Sequence, residues 1–86
     1  MKTQRVIFRQ WHNGDVIALF PDQPNGPYIG SYEHVGQHGD AWGQHVVSVT
    51  TPATPDAYRP LLAELESIGY ALRVIRRLPR HTTQEG

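Results

Sequence analysis

Cysteine is absent from the sequence. That absence excludes a disulfide framework and thiolate zinc sites, and it fits a reducing cytosol. Long hydrophobic runs are absent as well. Residues 1–20 carry Arg5, Arg9 and Asp15 among short apolar stretches, so they predict neither a signal peptide nor a membrane span. The expected setting is cytoplasmic. The chain shows no internal repeat, no low-complexity tract and no recognised catalytic signature.

An excess of charge of one sign is also lacking, because the formal charge sums to zero. The distribution is uneven: residues 1–15 are net +2, residues 22–66 net −5 and residues 67–81 net +4. Both ends are basic and the middle is acidic. With 86 residues, a chain hides only about 60–65% of its unfolded surface, so nearly every large apolar residue must serve one thin core. The expectation is a single α+β domain over residues 1–78 and a flexible tail over 79–86.

What is present reads mostly as strands. Residues 4–11 are β-branched and aromatic, and Asn13-Gly14 after them is a strong hairpin signal, since both residues tolerate positive φ. Val16–Phe20 returns as the second strand, stopped by Pro21. The three prolines of residues 21–27 predict a loop, because each removes a donor and fixes φ. Tyr28–Val35 reads as a third strand with a bulge at Gly30. Gly36–Asp40 reads as a break, and His45–Thr50 as a fourth short strand ended by Pro52.

Thr54-Pro55-Asp56 is a helix start, with a hydroxyl cap, proline at the first helical position and an acid in the first turn. Tyr58, Leu61, Leu65 and Ile68 recur as one apolar stripe, and Gly69 supplies the stop. Pro60 predicts a kink or a separate first turn. Tyr70–Leu78 reads as the last strand. The fold class is therefore α+β: a four- to five-stranded antiparallel sheet in β-β-β-β-α-β order, with one helix packed on one face. The other face is expected to meet solvent or a partner.

The blocks Val6-Ile-Phe-Arg9, Gly14-Asp-Val-Ile-Ala-Leu-Phe-Pro21, Ser31-Tyr-Glu-His-Val-Gly-Gln-His38, Thr51-Pro-Ala-Thr-Pro55 and Leu65-Glu-Ser-Ile-Gly-Tyr70 resemble a family of short bacterial and phage proteins without an assigned activity. The likeness spans most of residues 5–77, and it implies a compact module and no particular chemistry. Pro60 and Asp40-Ala-Trp42 depart from the family pattern.

Two candidate surfaces follow. The first is the His/Gly-rich loop 32–45, where Tyr32, His34, Gln37, His38, Asp40 and His45 are the candidate ligand-binding residues. Three imidazoles and two carboxylates fall within 13 residues there, but no recognised metal-ligand spacing is among them, so neither a metal nor a cofactor is expected. Glycines 36 and 39 would let backbone N–H groups approach a polar ligand or anion. The alternative is a turn whose side chains only satisfy exposed backbone groups.

The second surface comes from alternation. Arg5, Ile7, Arg9 and Trp11 share one face of the first strand, and Arg73, Ile75 and Arg77 share one face of the last. Pairing of those strands would gather the arginines and Trp11 into a nucleic-acid or partner face, or into a solvated face whose arginine stems cover the isoleucines. Zero net charge weighs against nucleic acid. No nucleophile, base or acid is seen in catalytic pairing. The leading expectation is a non-enzymatic binding module. It would contact a polar ligand or a protein partner through loop 32–45, with nucleic-acid binding by the arginine face as the alternative and self-association through that same arginine face at least as expected.

Overall fold

The computed structural model describes residues 3–26, 28–33 and 37–77, without the side chains of Asn25, Gln37 and His38. His34 and residues 78–86 therefore lie outside the described residues, and the expected tail with them. The first strand, β1 (Gln4–Gln10), pairs antiparallel with β2 (Val16–Asn25), with Ile7 opposite Leu19 and Phe8 opposite Ala18. The Asn13-Gly14 hairpin forms as expected. Trp11 N–H donates to the Asp15 carbonyl at 2.8 Å, and Gly14 takes φ +100°, a conformation that only glycine adopts readily.

Proline does not end β2. The strand runs through Pro21 and Pro24 to Asn25, and the pairing slips register between Phe20 and Pro24. An irregular stretch of ladder is where missing donors are tolerated. The expected loop is thus a bulged continuation of the strand. β3 (Tyr28–Glu33) pairs with β2, and β4 (Gln37–Ala41) pairs with β3. Of the expected break at 36–40, residues 37–40 are therefore part of a strand, and Gly36 lies outside the described residues.

The expected strand at His45–Thr50 is instead a helix, α1 (Gly43–Val49). The physical reason is topological. β4 lies at one end of the sheet, whereas β5 (Thr51–Pro52) lies beyond β1, in the order β4-β3-β2-β1-β5. At about 4.8 Å per strand, the chain must cross roughly 19 Å of sheet face, and a strand in the same sheet cannot do so. α1 makes the crossing and buries Val46 on Ile7, Ile17 and Leu19. The β-branched composition is overruled by that burial.

α2 (Pro55–Ser67) starts as the sequence predicts, with the Thr54 hydroxyl accepting the Ala57 N–H at 3.3 Å. It continues through Pro60 as one element. Leu61 and Leu65 are buried, but Ile68 is 53% exposed and drops out of the stripe. Gly69, at φ +111°, ends the helix, with the Gly69 and Tyr70 N–H groups donating to the Glu66 and Leu65 carbonyls. β6 (Leu72–Val74) is much shorter than the predicted Tyr70–Leu78 strand, and it runs parallel to β1. β5 and β6 thus share the same edge of β1, one at each end.

The architecture is an α+β fold with a six-stranded sheet. Val6, Phe8, Ala18, Phe20 and Tyr32 pack with Leu61 and Leu65 of α2 on one face. Ile7, Ile17 and Leu19 pack with Val46 of α1 on the other. Four consecutive buried residues in β1 are what a strand covered on both faces shows. The expectation of one bare sheet face is corrected accordingly. Among the described residues, no helix is long and apolar enough to cross a membrane.

Candidate functional site

Alternation does place Arg5, Ile7, Arg9 and Trp11 on one face, and β6 does bring Arg73 opposite Arg5. α1 and a β2 carboxylate then take up most of that face. The Arg5 guanidinium holds Asp22 at 2.6 and 3.0 Å, and the Arg5 backbone N–H donates to the same carboxylate at 2.9 Å. These contacts hold the Asp22 carboxyl below the usual carboxylate range.

Arg9 is only 8% exposed. Its Nη2 donates to the carbonyls of Val47 and Thr50 at 2.8 and 2.6 Å, and its Nε donates to Thr50 Oγ1 at 2.9 Å. The guanidinium thus caps the C-terminal end of α1, where unpaired carbonyls favour a cation. Burial pushes its pKa down from the ordinary arginine value. Trp11 is half-buried and donates its Nε1 proton to Glu33 at 3.2 Å. Of the four arginines expected to form the face, Arg73 and Arg77 remain exposed.

The residues of loop 32–45 divide between the two sides of the sheet. Tyr32 is buried in the α2-side core, and its hydroxyl donates to Glu64 of α2. It is a core residue with a satisfied polar tip. Asp40 is exposed in β4, opposite Gly30. His45 is exposed on α1, with its ring 6.5 Å from that of Trp42. Gln37 and His38 occupy β4 register positions opposite Glu33 and Tyr32, and their side chains are outside the described set. A hollow of about 310 Å³ opens beside α1, lined in part by Trp11, Ser31, Glu33 and Asp40.

A larger cleft, of about 550 Å³, is one that sequence reasoning missed. It opens where the edge of β1 changes partner. The Val6 carbonyl accepts the Ile75 N–H at 2.8 Å, and the Phe8 carbonyl accepts the Ala53 N–H at 3.1 Å. The segments leaving β1 at those points, Pro52–Pro55 and Val74–Arg77, form the cleft walls. Phe8 and Tyr58 also line it, with their rings stacked at 4.5 Å and 12°. Three distant stretches of chain meet here, so no local motif announces it. Compared with known proteins, the chain matches no family model, no curated protein and no solved structure.

Proposed function

We propose that the chain is a small non-enzymatic binding module acting in the cytoplasm, and that it contacts a second copy of itself along the outer edge of β4. The supporting observation is that β4 ends the sheet order and carries little of the usual edge protection in its own sequence. It has no proline or lysine and a single acid, whereas protected edges carry such residues. Trp42, directly after it, is 57% exposed. Antiparallel self-pairing centred on Gly39 sets residue 38 of one copy opposite residue 40 of the other, and those residues are His and Asp. A two-fold interface repeats that match at both ends.

Gly39→Lys tests the proposal. A Cβ there meets only Ser31 Oγ at 3.6 Å, an ordinary contact, so the variant retains the fold while setting two lysines against each other across the axis. Light scattering is expected to give twice the 9.7 kDa chain mass for the parent and the single mass for the variant. A parent that stays monomeric at high micromolar concentration defeats the reading. The hollow beside α1 supports a second reading, a small polar ligand held near Glu33 and Asp40. Asp40→Ala would then weaken ligand binding without changing the mass.

A further inference from the structure

The cleft on the β1 edge lies apart from β4 and has its own chemistry. Its lining includes Arg9, Arg76 and Arg77 and, among the described residues, no acidic one, in a chain whose formal charge is zero. The Arg9 guanidinium is committed to α1. Arg76 and Arg77 are exposed and make no ion pair among the described residues. The remaining lining is largely apolar: the Phe8–Tyr58 stack, Pro52, Pro55, Val74 and Ile75.

We infer that this cleft binds a small amphipathic anion, an aromatic body carrying one carboxylate or phosphate. The volume of about 550 Å³ lies within the range of small-molecule sites, roughly 300–1,000 Å³. The aromatic and proline surfaces receive the ring by apolar and stacking contact. The two guanidinium groups at the rim receive the anion, for which their planar forks are suited. Two free cations suffice for one anionic group. A polyanion needs a run of phosphate contacts, and Arg5 and Arg9 are already engaged.

The probe is 1-naphthoate, titrated into the full-length chain labelled with ¹⁵N and followed by amide chemical shifts. Saturable shifts are expected at Phe8, Ala53, Tyr58 and residues 74–77, with little change in β4. 1-Naphthylmethanol, the neutral counterpart, and the Arg76→Gln/Arg77→Gln double variant should each bind roughly tenfold more weakly, as loss of charge-assisted contacts implies. Both arginines are exposed, so the variant should melt with the parent. 1-Naphthyl phosphate in place of the carboxylate identifies the anion preferred. Absence of saturation, equal affinity for the neutral compound, or preferential binding of oligothymidylate would each overturn the inference. Because these shifts are read far from Gly39, their failure is separate from failure of the β4 pairing.

Discussion

Arg9 and Thr50, 41 positions apart, are joined twice: Nε donates to the threonine hydroxyl at 2.9 Å and Nη2 to its carbonyl at 2.6 Å. One arginine on the first strand thereby fastens the end of α1 to the sheet. An arginine that the sequence offers for external contact is a structural clasp, and it removes the positive charge from the surface where a partner was expected.

Arg9→Met keeps the apolar stem and deletes the donors. It leaves the carbonyls of Val47 and Thr50 without their partner, and loss of charged-group hydrogen bonds costs about 2–3 kcal/mol. The urea midpoint should fall accordingly, with little change in slope. Arg9→Lys should recover only part of the loss, because a point charge cannot reproduce the fork. A Met variant as stable as the parent would show that the clasp contributes nothing.

Asp22 governs an acid-sensitive contribution to stability. Its carboxyl is depressed in the folded protein by the Arg5 hydrogen bonds. The contribution is therefore complete above the unfolded-state value, about pH 4, and is lost as pH falls through the lower folded-state value. Both partners are partly exposed, so the ion pair is worth only about 0.5–1 kcal/mol. Asp22→Asn should lower stability at neutral pH by that amount and flatten the acid limb of the stability curve. Parallel pH curves for variant and parent would contradict this assignment.

Gly30 is needed for space. A Cβ on it would lie 2.3 Å from Gln23 Oε1 and 3.1 Å from Gln23 Cβ, and Gln23 is itself tied to Gln4 by a 2.7 Å hydrogen bond. Gly30→Ala should destabilise by about 1 kcal/mol, because the nearest atom is the end of a side chain that can turn aside at the expense of its hydrogen bond to Gln4. Adding Gln23→Ala removes the closest atom, so the pair should be less destabilising than the sum of the single changes. Thermal melts of the four proteins decide it, and strict additivity would argue against the clash.

Several elements could be read from adjacent residues because their determinants are local. Asn13-Gly14 made the first hairpin legible, Thr54-Pro55 the start of α2 and Gly69 its end. Alternation in Arg5–Trp11 correctly sorted side chains to two faces. The candidate site was far less legible. Tyr32 and Arg9 are polar residues whose hydrogen bonds go to α2 and α1, and a sequence does not show which buried partner will claim a donor.

An α+β chain with antiparallel strands and one well-capped helix was already encoded in neighbouring residues, since period, capping and turn chemistry act within a few positions. Tertiary structure alone decided that Val46 would cover Ile7 and Leu19 from a helix, that β6 would run parallel to β1, and that a cleft would open between Ala53 and Ile75. Those outcomes depend on which strands become neighbours and how the chain crosses between sheet edges. They arise from burial shared by residues far apart in sequence, which no local preference encodes.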